Sequence, residues 1–522
     1  MSGSLAQIDL IVVACYAIML LAIAFWMTKK EAANNVDTKD YFLAGRSLPW
    51  WAIGASLIAA NISAEQIIGM SGSGYALGLG IATYEWMAAA TLIIVGKYLL
   101  PIFLKNKIYT IPQYLQQRFD SRVKTVLAIF WLGVFVFVNL TSVLWLGGLA
   151  IESVAGVNWL YGMIFLAMFS VLYASYGGLK VVAYTDIIQV VLLVFGGLVL
   201  SYLALQAISD QGGVFAGFAI LTQEVPGHFD MILSQDNPFY KDLPGISVLI
   251  GGMWVINIGY WGFNQYIIQR ALAAESLKEA QKGIMFAAFL KLLMPLIVVL
   301  PGIAALLLFP NLEKNDMAYP AMMTLMPVGL KGLIFAALIA AIISSLASMT
   351  NSISTIFTMD LYRPLKQGKD ENHYVNVGRL VGVISLIIAI IAAKPLIGSF
   401  DQAFQYIQDF SAMFSPGIVV IFLMGMFYKR MTSAGALTAA LSSFTISLFF
   451  FFVLPDVPFI DRVGIVFLAC IILSYIVSIS GNKVVANDTV DISEVNFKTS
   501  SSFNIFALLL VIILAALYLT WW

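Results

Sequence analysis

Residues Pro49–Gly80 read PWWAIGASLIAANISAEQIIGMSGSGYALGLG. The run has the length and apolar character of a membrane helix, yet Asn61, Ser63, Glu65 and Gln66 sit at its middle, and glycines follow at 69, 72, 74, 78 and 80. Polar groups in hydrocarbon must find partners inside the protein, and irregular backbone at membrane depth survives only where it is buried or lines a cavity. One reading is a helix interrupted mid-membrane, whose unpaired carbonyls and N–H groups hold a cation and a polar solute. The other is that Ser and Asn bind one helix to its neighbour while glycines permit close packing. Both stay open at this stretch alone.

The rest of the chain sets the class. Of its 522 residues 61% are hydrophobic and 11% charged, with a mean hydropathy of +0.92, so a polytopic helical membrane protein is expected. A window of about 19 residues places spans near 6–28, 49–78, 81–104, 124–152, 157–176, 181–208, 246–268, 279–309, 328–360, 376–399, 402–427, 433–454, 459–480 and 503–521, fourteen helices in all. The first carries Asp9 rather than a basic flank, and no small-residue cleavage pattern follows it, so it reads as a retained helix. Cys15 and Cys470 lie far apart in apolar runs, and His228 and His373 fall in polar connections, which leaves redox and zinc chemistry little to work with. With the N-terminus outside, 21 Lys and Arg fall on inside connections against 5 outside, so both termini are expected outside. The connection 209–245 is acidic with several Gly and Pro; of a lid and a solvated loop, the solvated loop is the preferred reading.

Charges within spans are costly, about 2.5–3.5 kcal/mol each on insertion scales, so each needs a reason. Glu85 opens the third span and Lys291 lies inside the eighth, where the two can neutralise each other. Asp186 sits early in the sixth span, where a position near the surface competes with a functional one. The seventh span is a second interrupted segment: Asn257, Gly259, Tyr260, Trp261, Gly262, Asn264 and Gln265 mix amides with flat rings. A sugar asks for that combination, amides and carboxylates for its hydroxyls and aromatic faces for its C–H surface. In the ninth span Ser344 and Ser345 stand three and four residues beyond Ala341, so two hydroxyls approach one carbonyl. That half-shell of hard oxygens suits Na⁺, although serine back-bonding to the preceding turn explains the pair equally well. The eleventh span opens with Gln402, Gln405, Gln408 and Asp409, beside Phe404 and Tyr406.

Together, ASLIAANISAEQIIGMSGSGY, YEWM, VNLTSVLWLGGLA, YGGL, YTDIIQVV, WGFNQYIIQRALAA, EAQKGIMFAAFLK, FAALIAAIISSLASMTNS and AFQYIQ resemble the sodium/solute symporter family, and within it the bacterial sodium-coupled sugar transporters. The resemblance implies an all-α fold of the LeuT type, two inverted five-helix repeats with additional helices. Its expected divisions are an extra N-terminal helix and loop (1–48), a first repeat (49–208), an outside loop (209–245), a second repeat (246–430) and C-terminal helices (431–522). The interrupted stretches 49–78 and 246–268 then occupy corresponding positions, the pointer to a midplane site. The resemblance also implies roles. Sugar contacts fall on Asn61, Gln66, Glu85, Asn257, Lys291 and Gln408, with Tyr260 as inner gate and Trp261 beside it. The outer gate falls on Met70, Tyr84 and Phe404. The sodium site falls on the carbonyls of Ala59, Ile62 and Ala341 and the hydroxyls of Ser344 and Ser345, with Asp186 in sodium release. Ala88, near a family serine, and Gly259, where the family has a tyrosine, depart from the pattern.

The expected activity is sodium-driven import of a hexose, galactose or glucose, across a bacterial inner membrane. Na⁺ is the coupling ion, with no organic cofactor and no nucleic-acid partner. A sodium symporter for another polar solute, such as a sialic acid, proline or a vitamin, is the alternative; Glu85 opposes an anionic one. A channel or sensor asks for a continuous polar pore or a signalling domain, and an enzyme for a nucleophile–base pair or metal ligands. Neither pattern is visible in the sequence.

Overall fold

The computed structural model describes residues 5–32, 48–106, 108, 111–176, 179–398, 400, 402–480, 492 and 495–522. The connection bearing Lys39 and Arg46, most of the 481–502 linker and the glycines of YGGL lie outside these residues. The described chain is helical, with a single isolated bridge between Leu48 and Ala274, as expected where lipid offers the backbone no hydrogen bonds.

The longer helices are α1 (Gln7–Ala32), α2 (Trp50–Asn61), α3 (Met70–Leu77), α4 (Thr83–Ile94), α5 (Ser121–Gly133), α6 (Thr141–Ala155), α7 (Trp159–Tyr176), α8 (Leu179–Ile208), α9 (Gly252–Phe263), α10 (Gln265–Leu272), α11 (Leu277–Met294), α12 (Leu300–Leu308), α13 (Leu330–Thr355), α14 (Glu371–Ile397), α15 (Ala403–Ala412), α16 (Ser415–Phe427), α17 (Ser433–Val453), α18 (Phe459–Ser480) and α19 (Ser501–Thr520). Among the described residues nine helices are long and apolar enough to cross a membrane, ten if the pair α15 and α16, bent by 45°, counts as one span. The expected fourteen is not reached by this measure: Glu65–Lys105 counts as one helix across two expected spans, Gln7–Leu20 and Trp159–Tyr173 fall among the shorter apolar helices, and the break at Asn264 divides the seventh expected span.

Two of these breaks organise the molecule. α2 stops at Asn61 because Ile62 turns to extended backbone (φ −75, ψ 91), and the chain resumes as a widened helical turn over Glu65–Gly69 before α3. α9 stops at Phe263, and Asn264 is likewise extended (φ −85, ψ 120) before α10. Both fall inside the stretches where polar side chains interrupt the hydrophobic run. A third turn comes at Gly78, whose φ of 81 favours glycine and whose missing Cβ would stand 2.3 Å from the His228 carbonyl. Gly69 and Tyr84 both lie against Phe404, although fifteen helical residues would separate them by about 22 Å, so the chain doubles back there.

Close backbone approach packs the core. Gly54 and Gly283 bring α2 and α11 together, and Gly196 brings α8 against Ile334 at the start of α13. That start is held by α1: Asp9 accepts from the amides of Gly329 (2.7 Å) and Gly332 (2.9 Å). The segment 209–245 departs from the solvated loop expected of it. It forms a helix over Val214–Glu224 and buries Phe229, Met231, Leu233 and Leu243. The Met231 and Ile232 amides donate to the Trp521 and Trp522 carbonyls, and Phe229 packs on Trp521. Apolar side chains between its acidic residues explain the difference.

Candidate substrate and cation site

At the first break, α2 delivers Asn61 and the following turn Gln66. The Lys291 ammonium of α11 donates to Asn61 Oδ1 and pairs with Glu85 Oε2 of α4 at 2.5 Å, both side chains being 1–2% exposed. Two opposite charges at this depth offset each other's desolvation, which neither does alone. Gln66 Nε2 donates to Asn61 Oδ1 (3.4 Å), and Asn61 Nδ2 donates to the Tyr260 hydroxyl (3.1 Å). Tyr260 shares a 2.7 Å hydroxyl contact with Tyr266, across the second break. The Trp261 ring lies edge-on to Tyr260 and 5.1 Å from Lys291 Nζ.

All of these groups but Tyr266 line a cavity of about 130 Å³. On its wall the rings of Tyr84 and Phe404 meet edge to face at 5.2 Å. Trp131, Phe135, Phe414 and Ile418 line it as well. Of the residues anticipated for the substrate and its gates, Asn61, Gln66, Tyr84, Glu85, Asn257, Tyr260, Trp261, Lys291, Phe404 and Gln408 all reach this cavity. Met70 does not: it is fully buried and off the cavity wall, because the chain turns back beyond it and presents Tyr84 instead. Asn257 donates its amide to the Met253 carbonyl one turn earlier. Ala88 and Gly259 line the cavity too, and their small size widens it.

The structure adds Glu65, Asn139, Asn264 and Trp131. Glu65 accepts a hydrogen bond from Asn139, while its Oε1, buried, has no partner. Asn264 stands at the N-terminus of α10 without capping it, and its Oδ1 is buried and unpartnered. The available signal for Asn139 was one amide in the apolar run Val134–Leu140. Asp409, grouped in sequence with Gln408, instead lies beside Arg462 at 3.6 Å in a separate small cavity.

The oxygens anticipated for a cation are prepared by the same break. In an unbroken helix the Ser63 amide would donate to Ala59 and the Gln66 amide to Ile62. Here they donate to Asn61 and Ser63, which releases the Ala59 and Ile62 carbonyls. On α13, which also supplies Ala341, Ser345 Oγ is buried without a hydrogen-bond partner, while Ser344 Oγ donates to Asp186 Oδ1 (2.9 Å). Asp186 is 2% exposed, so its position is interior rather than superficial. Ser56 Oγ donates to its Oδ2 (3.3 Å), and Arg270 Nη2 stands 3.6 Å from the same oxygen. Carbonyls and hydroxyls are hard oxygen donors, the kind that suits hard cations, and the Asp186 carboxylate beside Ser344 is shared with Arg270.

The model of the sodium:solute symporter family matches residues 41–442. The chain is 50% identical over 99% of both sequences to a sodium/glucose cotransporter of Vibrio parahaemolyticus. It is 33% identical to the sodium/myo-inositol cotransporter 2 of Sus scrofa, covering 83% of this chain and 68% of that one. Its fold is that of a Na⁺-coupled sialic acid symporter, with a TM-score of 0.77 at 23% identity over 91% of this chain and 98% of the other.

Proposed function

The chain belongs to the sodium:solute symporter family, and from that premise we propose that it imports a hexose, galactose or glucose, together with Na⁺ by alternating access. The observation that carries the reading is the cavity where both broken helices meet a buried Glu85–Lys291 pair, with amides and aromatic faces around it. Asn61, Gln66, Asn257, Gln408 and the charged pair bind the sugar hydroxyls. Trp261 and Tyr260 cover its apolar face, and Tyr260 closes the inner end. Tyr84 and Phe404 close the outer end, with Met70 behind them.

Sodium binds the carbonyls of Ala59, Ile62 and Ala341 and the hydroxyls of Ser344 and Ser345, bridging α2 and α13, and Asp186 takes it over during release. The released carbonyls and the unpartnered Ser345 hydroxyl support this assignment. Coupling follows if sodium and sugar each bind one state better than the other. One charge moving through 100 mV supplies about 2.3 kcal/mol and a tenfold sodium gradient about 1.4, enough for roughly several-hundred-fold accumulation. The architecture that goes with this function is two inverted repeats, 49–208 and 246–430, fourteen crossings, and both termini on the periplasmic side of a bacterial inner membrane.

A symporter for an anionic solute such as a sialic acid is disfavoured because Lys291 is already neutralised by Glu85. The decisive measurement is equilibrium binding of galactose, glucose, myo-inositol and a sialic acid in NaCl and in KCl. Hexose binding that needs sodium is expected; preference for another solute, or indifference to sodium, would overturn the proposal.

A further inference from the structure

A line of contacts runs from Ser344 of α13 through Asp186, Ser56, Arg270 and the body of Tyr266 to the tyrosine of the sugar cavity, and Arg270 is its joint. Ser344 donates to Asp186, and the Arg270 guanidinium stands beside the other carboxylate oxygen of Asp186. Arg270 Nε also donates to Ser56 Oγ (3.0 Å), and Nη1 donates to the Tyr266 carbonyl. The Tyr266 hydroxyl in turn meets that of Tyr260. Arg270 is the largest fully buried side chain among the described residues, at 1% exposed. A buried ion pair is weak evidence for stability, since an apolar replacement of equal volume often serves as well. Its geometry therefore asks for another use.

The elements it joins suggest one. Tyr260 lies on α9 and Tyr266 on α10, so their hydroxyl contact spans the extended backbone of Asn264. Arg270 lies on the α10 side of that hinge, and the Asp186 carboxylate it faces is already bonded to the Ser344 hydroxyl. We propose that Arg270 is a positioning residue that couples cation occupancy at Ser344 and Ser345 to Tyr260. The inference rests on the sodium–hexose reading above. A sodium ion at the serines competes with the guanidinium for Asp186 and loosens the hold on α10. When sodium leaves, Arg270 regains the carboxylate, which it shares with the Ser344 and Ser56 hydroxyls, and draws α10 toward α8 and α13, and the Tyr266–Tyr260 contact carries that shift to the sugar. The guanidinium fork suits the task because one planar group reaches three partners at once, which a lysine ammonium cannot reproduce.

The test uses the full-length protein with Arg270→Lys, which keeps the buried charge, and Tyr266→Phe, which removes only a hydroxyl. Hexose dissociation constants are measured in NaCl and in KCl, and sodium binding alone is followed by sodium-induced thermal stabilisation. The wild type should show a sodium-dependent ratio of at least about fivefold; absence of any ratio there would defeat the symport reading itself. Both variants should keep sodium-induced stabilisation while their ratio falls to within about twofold of unity. A wild-type ratio in either variant overturns the proposal, as does loss of sodium-induced stabilisation in Tyr266→Phe. If Arg270→Lys does not fold, the tyrosine variant decides.

Discussion

At the residue scale the site is a set of buried groups whose partners fix their cost. Ser345→Ala removes a hydroxyl that has no protein hydrogen-bond partner, so folding should be unaffected while sodium-driven uptake into proteoliposomes collapses; uptake at the wild-type rate would remove Ser345 from the sodium site. The Glu85–Lys291 pair behaves in the opposite way. Lys291→Met leaves a buried carboxylate without its cation and should destabilise by about 3–5 kcal/mol, whereas Lys291→Met with Glu85→Gln should recover much of that loss. Thermal melting of the two variants in one detergent checks the order; equal losses would mean that the charges do not depend on each other. This pairing was legible in the sequence, because two opposite charges in apolar runs must be matched. The Arg270–Asp186 contact was not, since an arginine near a helix end reads as a residue of the inside connection, and no periodicity reports a partner 84 positions away.

At the element scale the two interrupted helices were legible, and for the same physical reason: amides in an apolar run mark where hydrocarbon is replaced by a cavity. Freed carbonyls at the first break were legible too; what escaped was which amides turn away from them. The released Ala59 and Ile62 carbonyls follow from the amides of Ser63 and Gln66 choosing nearer acceptors, a choice made by tertiary packing. Asp9 gives a second case. Read in sequence it only argued against a signal peptide, yet it caps the start of α13 across the fold, bonded to the amides of Gly329 and Gly332. Asp9→Ala should cost about 1–2 kcal/mol, as loss of a helix cap does, and should raise hydrogen exchange at the first turn of α13. Exchange there unchanged from wild type would show that the cap contributes nothing.

At the scale of the whole molecule, the segment 209–245 is a packed cover tied to the last residues of the chain. Its acidic sequence concealed this, because five carboxylates outweigh a scattered apolar set in any windowed average. Within the cover, burial pushes the Asp242 carboxyl up to about 6 from its ordinary 3.8. A carboxyl whose folded pKa is raised binds its proton more tightly in the packed state. The packed cover is therefore favoured at low pH and loses stability as pH rises from about 4 to about 6, with no further change above. Protection over 226–243, with exchange rates corrected for the intrinsic pH dependence of amide exchange, should be higher at pH 5 than at pH 7, and Asp242→Asn should abolish the difference. Higher protection at pH 7 would contradict the assignment.

The mutual neutralisation of Glu85 and Lys291 has an electrical consequence. The pair itself contributes no net charge when the pocket is re-exposed from one face to the other, and an uncharged solute adds none. In a voltage-clamped membrane the pair then adds nothing to the charge moved in the loaded step or in the empty return. Lys291→Met alone would leave the pocket anionic, and any surviving transport in that variant would carry about one positive charge fewer per cycle in its loaded step, and a compensating voltage dependence in its empty return.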